Sequence, residues 1–325
     1  MVTLLFSNAI RMMAVYIFGA SGDVIIEKGG HLNMGVPGIM FFGALGAILG
    51  ESLYVNTILP ATAQINAALA LIIPLIFAVI FGAIGGLLYC FLTVTLKCNQ
   101  NVVGLSMTTL GVAISRYFIL SLSMVRPSRI VEAATKFHNL FPNYKAAGMF
   151  GEMFLQGSFL SYFAIIVAVV VSIILATTRV GLNLRSVGEN PASADAAGIN
   201  VTKYKYLSTI IGSMLVGIGG LVYVLDFEGG NFSAADSVDS FGWLCLSIVI
   251  LSAWRSWITI PISFAIGFLS VLANIIPGLP IAYKYLFNAI PYAASIIVLI
   301  VASAIGSKKM QPPAGLGKTY FREDR

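Results

Sequence analysis

The chain has 325 residues, of which 58% are hydrophobic and 10% charged, against roughly 45–50% and 25% in an ordinary soluble domain. A spanning helix takes about 20 mostly apolar residues, so roughly eight to ten of them fill this length and leave no room for a separate soluble domain. The formal net charge of +6 does not mark a nucleic-acid binder, because the basic residues lie singly between apolar runs instead of on one face.

Candidate spans lie near 2–22, 33–50, 70–96, 101–123, 158–178, 204–225, 241–254, 258–276 and 285–305. In lipid only helices and closed barrels satisfy the backbone, and these runs lack the alternation of barrel strands. The expected fold is an all-α integral membrane protein, a polytopic bundle with a transmembrane body over 1–305 and a tail over 306–325. The first run contains Arg11 and no small-residue cleavage pattern, so it is read as a retained span and not as a signal peptide.

Between Gly19 and Gly50 glycines recur, and Asp23, Glu27, Lys28 and His31 interrupt the apolar pattern. Two readings stay open: a discontinuous helix lining a transport site, or a hydrophilic turn between two full spans. The side of the N-terminus stays undecided with them. Glu27, His31 and Asn33 are candidate pathway residues, because intramembrane ionisable groups are functional candidates by default. A local salt bridge or helix cap accounts for His31 equally well.

Other polar and aromatic residues read as structural. Cys90, Cys98 and Cys245 fit neither a zinc nor a disulfide spacing and are taken as packing residues. Gly46 with Gly50, and Gly82 with Gly86, are spaced for close helix packing. Trp243, Trp254 and Trp257 sit near span ends, as interfacial anchors do, and Arg11 and Arg116 are expected to snorkel.

Lys and Arg concentrate in cytoplasmic connections. The tail, with Lys308, Lys309, Lys318, Arg322 and Arg325, is therefore expected in the cytoplasm, together with Lys97, Arg179, Arg185, Lys203, Lys205 and Arg255. The opposite face receives the loop 226–240, which holds Asp226, Glu228, Asp236 and Asp239 and no Lys or Arg. The segment 124–157, with Arg126, Arg129, Lys136 and Lys145, is the exception on that face and is expected to meet something outside.

Within the cytoplasmic loop 179–205, the run G-L-N-L-R-S-V-G-E-N-P-A-S-A-D-A-A-G-I-N-V-T-K-Y-K marks both ends of a short helix. Asn190 is an N-cap, Pro191 suits the first position, and Gly198 is placed for the left-handed residue that closes a helix. Seven residues between caps make no stable helix alone in water. Small side chains at Ala192, Ser193, Ala194, Ala196 and Ala197 permit close approach to another surface, so the helix is expected to dock into a groove.

This loop resembles the coupling helix of ABC-importer permeases for branched-chain amino acids, ribose-type sugars and nucleosides. The matching positions are Gly188, Glu189, Asn190, Pro191, Ala194, Ala197, Gly198 and Ile199. The run Glu27, Lys28, Gly29, Asn33, Gly35, Gly38, Met40, Gly43, Ala44 is similar to that family's N-terminal signature. Pro291-Tyr292 and the tail P-P-A-G-L-G-K-T-Y-F-R-E-D-R resemble its nucleoside-type branch. The resemblance implies a type II-like permease that imports a nucleoside, with ribose-type sugar or amino acid as alternatives. It also implies an ABC ATPase subunit carrying the ATP and magnesium, a second and different permease subunit, an extracytoplasmic binding protein, and residence in a bacterial inner membrane.

The chain departs from that pattern in places. Thr108 and Thr109 lie near where many relatives carry an asparagine, and they join the candidate pathway residues. Trp257 stands about where a proline is usual and Ala253 where a glycine is usual. Phe41, Phe42, Tyr89 and Tyr117 are candidates for stacking on a base.

The tail's Gly315, Gly317, Lys318 and Thr319 imitate half of a phosphate-binding loop, but Pro312 occupies the position of its first glycine. No nucleotide cofactor is expected on this chain. His31 and His138 stand far apart and form no nucleophile-activating or metal-ligating pattern, so an enzyme acting through Glu27 and His31 lacks a second carboxylate or ligand. An ion-coupled transporter relaying through Glu27, His31 and Arg11 leaves the capped helix unexplained.

Overall fold

A chain whose apolar runs exceed 18 residues in lipid must close its backbone hydrogen bonds within each run, and helices result throughout. A computed structural model describes residues 2–60, 63–122, 127–136, 145, 148–231, 236–276, 278, 280–305 and 311–320. His138, Arg126, Lys308, Lys309, Arg322 and Arg325 lie outside the described residues.

In chain order the helices are α1 (Val2–Lys28), α2 (Val36–Leu53), α3 (Ala67–Cys90), α4 (Gln100–Leu122), α5 (Pro127–Thr135), α6 (Gly148–Phe154), α7 (Phe159–Thr177), α8 (Arg179–Glu189), α9 (Pro191–Ala196), α10 (Val201–Leu221), α11 (Asp236–Leu251), α12 (Ser256–Ile275), α13 (Ile281–Asn288) and α14 (Ile290–Ile305). α2, α3 and α10 each end in a π-helical turn, at Tyr54–Ile58, Phe91–Thr95 and Val222–Phe227. Among the described residues, five helices are long and apolar enough to cross a membrane: Val2–Lys28, Val36–Ile58, Ala67–Thr95, Phe159–Thr177 and Val201–Phe227. Shorter apolar stretches follow in α11, α12 and across α13 and α14, and α4 has the length of a span, with 23 residues.

The burial pattern is that of a bundle in lipid. α3 turns Leu69, Ile72, Ile76, Ile80, Ile84 and Leu87 outward, and α7 does the same with Ile166, Val170 and Ile173. α1 and α2 are enclosed instead, and α1 packs against α7, α10, α11 and α12.

Close approach without large side chains is what holds apolar helices together where lipid is as apolar as Leu. The glycine-rich face of α10 supplies it. A Cβ on Gly212 or on Gly22 would strike the other's backbone, and one on Gly43 would strike Gly217. Gly82 and Gly86 of α3 lie on Ser213 and Thr209 of the same face, while Gly46 and Gly50 of α2 receive Phe77 and Pro74. Those two glycine pairs are packing devices.

One end of the bundle collects the turn 29–35, the loop 178–200, the turn 252–255 and the tail 311–320, joined by Leu32 N to Gln100 Oε1 (2.8 Å), Gly315 N to Gly188 O (2.9 Å) and Gly317 N to Gly30 O (3.2 Å). Lys28, Lys97, Arg179, Arg185, Lys203, Arg255 and Lys318 belong to this end. The start of α1 lies at the other end, where the Phe6 ring is 6.0 Å from Phe154 and Arg11 Nη2 donates to Gln156 O at 3.1 Å. The question left open about the N-terminus is thereby answered: the chain starts at the end opposite the loop 178–200.

Several expectations need correction. α1 runs unbroken through Asp23 and Glu27 to Lys28, so no discontinuous helix forms, and the interruption is a turn between two full spans. That turn is not solvated, since Gly29, Gly30, His31, Asn33 and Gly35 are buried. Trp254 is no interfacial anchor, being buried with its Nε1 donating to Glu27, whereas Trp257 is exposed. Asp226 sits inside the π-helical end of α10 and accepts from Ser158 Oγ, because a carboxylate at that depth needs a donor. Arg129 faces inward to the carbonyls of Val55, Pro60 and Ala63. Arg11 reaches the connection between α6 and α7 and donates to the Gln156 carbonyl there.

Gly43→Val tests the seam. Overpacking costs about 1–3 kcal/mol where side chains can yield, and backbone on both sides cannot. The purified variant in detergent is expected to unfold at a clearly lower temperature than wild type, or to fail to accumulate.

Candidate functional site

The capped helix forms as its sequence dictates. Asn190 is extended at φ −148 and its side chain accepts from Ser193 N at 3.0 Å, with Pro191 in the first position. At the other end Ile199 N reaches Ala194 O (3.0 Å) and Gly198 N reaches Asp195 O (2.9 Å), with Gly198 at φ +82, the paired closure of a left-handed cap. Ala194 is the buried member and packs with Val187 and Val201, with Ile199 and Tyr320 alongside. Ala192, Ser193, Ala196, Ala197 and Gly198 are exposed. The helix thus presents its small residues outward while one alanine anchors it.

Beneath it α8 fixes the height of the helix. Thr178 caps α8 by accepting from Gly181 N at 3.1 Å, and Gly188 at its far end lies against the Lys28 carbonyl with no room for a Cβ. Glu189 is exposed and its Oε2 accepts from Ala314 N at 3.0 Å. Tyr320 Oη donates to Asp195 Oδ2 at 3.0 Å. The tail is therefore a strap across the short helix and the turn 29–35. Its glycine amides are turned onto the carbonyls of Gly188 and Gly30. A recess of about 690 Å³ beside the helix is lined by Lys97, Asp195, Ile199, Lys203 and Tyr320, among others.

Four of the five candidate pathway residues gather around the buried turn. Glu27 receives Trp254 Nε1. His31 Nδ1 is 2.7 Å from Thr209 Oγ1, and the ring meets Tyr89 edge-on at 5.9 Å. Asn33 Oδ1 accepts from Gly35 N at 3.1 Å, and Thr108 Oγ1 donates to Met34 O at 3.2 Å. Thr109 stands apart, exposed on the outer face of α4 and bonded to Ser106 O at 2.9 Å. Of the aromatic candidates, Phe41, Phe42 and Tyr89 are buried and Tyr117 is exposed.

Known proteins decide what this arrangement belongs to. The family described as branched-chain amino acid transport system / permease component matches residues 5–303. The chain belongs to that family. It is accordingly a multi-pass membrane permease. Among its relatives, the nucleoside ABC transporter permease protein NupC of Lactococcus lactis subsp. cremoris is 28% identical, over 97% of this chain and 96% of its own. The protein named putative glucose ABC transporter permease protein TsgC13, of Haloferax volcanii, is 25% identical over 98% of both chains. The guanosine ABC transporter permease protein NupQ of Bacillus subtilis is 27% identical over 96% of this chain and 94% of its own. No solved structure matches the chain.

Three structural features of this permease were not read from the sequence. Asp23 is fully buried and neither carboxylate oxygen has a hydrogen-bond partner among the described residues; the same holds for Glu51. The tail was noted in the sequence as a family resemblance, but nothing there placed it against Gly188, Glu189 and Gly30. The turn 252–255 holds two left-handed residues, Ala253 at φ +51 and Trp254 at φ +55, and the alanine that departs from the family's glycine sits in that very conformation. For a bulky residue this is an outlier, and the bond to Glu27 keeps it there.

Two predictions follow from the geometry. Left-handed backbone costs a residue with a Cβ about 1–2 kcal/mol, so Ala253→Gly is expected to raise the unfolding temperature of the purified permease. His31 is buried, and burial first, then the neighbouring Lys205 ammonium, hold its imidazole well below the ordinary 6.5. A group with a depressed base strength is neutral in the fold and takes a proton when unfolded, so its share of stability is whole above about 6.5 and falls as pH drops below it. Between pH 7.5 and 5.5 the wild type is expected to lose up to about 1.4 kcal/mol that His31→Gln does not lose. Equal losses in both proteins would remove His31 as the source.

Proposed function

We propose that this permease is the membrane half of an ATP-driven nucleoside importer, seated in a bacterial inner membrane. An ABC ATPase subunit on a separate chain, carrying ATP and magnesium, takes the short helix Pro191–Ala196 into its cleft. The observation that carries this reading is the exposed face of Ala192, Ser193, Ala196 and Ala197 on a helix anchored by Ala194. A helix this short is not stable alone in water, and the small exposed side chains permit the close approach of a second surface. The end bearing the strap and most of the basic residues faces the cytoplasm, and a binding protein delivers substrate at the other end. A second, related but different permease subunit completes the pair.

The chemistry on this chain is mechanical. When the ATPase closes, it moves the short helix and, through Gly188, the end of α1. α10 begins two residues after Ile199, so it follows the same displacement. No covalent step is assigned to any residue of the permease. The names of NupC and NupQ favour a nucleoside, and the full-length likeness to TsgC13 keeps a sugar as the second reading.

The test is uptake of labelled guanosine, ribose and leucine into proteoliposomes holding the permease with its ATPase and binding protein, with and without internal ATP. ATP-dependent guanosine uptake is expected, and ATP-independent uptake that an ionophore collapses would replace the reading with an ion-coupled carrier. Glu189→Lys combined with Gly198→Trp is expected to insert normally and to abolish the ATP-driven uptake; retained uptake would remove the loop from the coupling role.

A further inference from the structure

Away from the short helix, at the end where α10 and α12 finish, the bundle encloses a cup of about 290 Å³. The rings of Tyr223, Phe227, Phe241 and Tyr292 stand in its wall. Tyr223 is the buried centre of the group, 4.8 Å from Phe241 and 5.9 Å from Phe227, with which it is nearly parallel at 19°. Two of these rings lie on the π-helical end of α10, a widened turn of the kind that recurs at functional sites. The cup also holds hydrogen-bonding groups from three elements: Glu228, Ser270 and Asn288. Glu228 Oε1 accepts from Tyr223 Oη at 3.0 Å, and Ser270 Oγ is 2.9 Å from Tyr16 Oη.

We infer that this cup receives the planar base of the transported nucleoside. The inference rests on the nucleoside reading given above and names where that substrate is recognised. A lipid tail has no use for a carboxylate, an amide and a hydroxyl in one small cavity. A monosaccharide can lay a C–H face on a ring, but its rim of hydroxyls calls for more partners than Glu228, Ser270 and Asn288 supply. A base matches the set, with two faces to stack and an edge to bond. The volume is near the lower limit of the roughly 300–1,000 Å³ usual for small-molecule sites, enough for a base with its sugar directed towards the mouth. As a carboxylate, Glu228 only accepts, so the edge turned to it carries N–H groups. Pro291-Tyr292, noted in the sequence without a role, becomes part of the wall.

The experiment measures direct binding of labelled guanosine to the assembled transporter in nanodiscs, alongside uptake at saturating binding protein, for wild type, Tyr292→Ala, Tyr292→Phe and Glu228→Gln at matched protein amounts. Loss of one base–aromatic stack corresponds to about a fivefold weakening or more. Tyr292→Ala is expected to weaken binding by at least that and to slow uptake, Tyr292→Phe to stay near wild type, and Glu228→Gln to weaken guanosine binding. Unchanged binding in Tyr292→Ala and Glu228→Gln, with nucleoside uptake intact, would overturn the cup and leave the importer standing. Equal weakening in Tyr292→Ala and Tyr292→Phe would also overturn it, since the ring would not be what matters. A wild-type complex that carries ribose and no nucleoside would overturn both readings together.

Discussion

Backbone-to-backbone contact along the glycine face of α10 is the constraint on which the other features depend. α1, α2 and α3 all meet this one helix through Gly22, Gly43, Gly82 and Gly86. In lipid the apolar side chains gain little by leaving one neighbour for another, so packing distance decides association. A helix that carries three neighbours on small residues cannot shift alone. Because α10 starts directly after the loop with the short helix, the loop is continuous in the chain with a helix packed tightly against α1, α2 and α3.

The polar interior follows from the same compactness. Water is excluded around the turn 29–35, so each buried group has to find a donor or acceptor within the protein. Glu27 takes Trp254, Ser21 takes Ser256 (3.0 Å), His31 takes Thr209, and Tyr89 donates to the Leu32 carbonyl (2.8 Å). The left-handed turn at Ala253 and Trp254 is the cost of delivering the indole to Glu27. The carboxylates of Asp23 and Glu51, and the Nε2 of His31 and Nδ2 of Asn33, do not complete this pattern among the described residues. Buried carboxylates without partners among the described residues are the groups most sensitive to a change in their surroundings.

What was legible in the sequence is what local chemistry decides. Asn190, Pro191 and Gly198 state the ends of the short helix in residues whose preferences act over three or four positions, and those ends form as read. The apolar runs state the spans for the same reason. The turn at 29–35 was not legible, because Glu27 and Lys28 look like a solvated break until Trp254, 227 residues away, supplies a partner. Thr108 and Thr109 are neighbours in sequence but about 100° apart around α4, and helical phase relative to α2 decides which of them is enclosed. The strap is a long-range fact too. Gly315 and Gly317 resemble a nucleotide loop locally, and only the carbonyls of Gly188 and Gly30 explain them.

The aromatic cup and the short helix lie at opposite ends, and two helices join them. α1 contributes Met12 to the cup and sets the Lys28 carbonyl against Gly188; those sixteen residues of uninterrupted helix rise about 24 Å. α10 starts beside the short helix and ends with Tyr223 in the cup wall. Neither α1 nor α10 contains a proline, so both lack one of the common causes of a kink. The backbone of α10 departs from α-helical geometry at its π-helical end, the segment that carries Tyr223 and Phe227. α1 and α10 therefore tie the geometry of the cup to that of the loop, since a shift of one helix along the other changes how Tyr223 and Phe227 stand to Met12 in the cup wall.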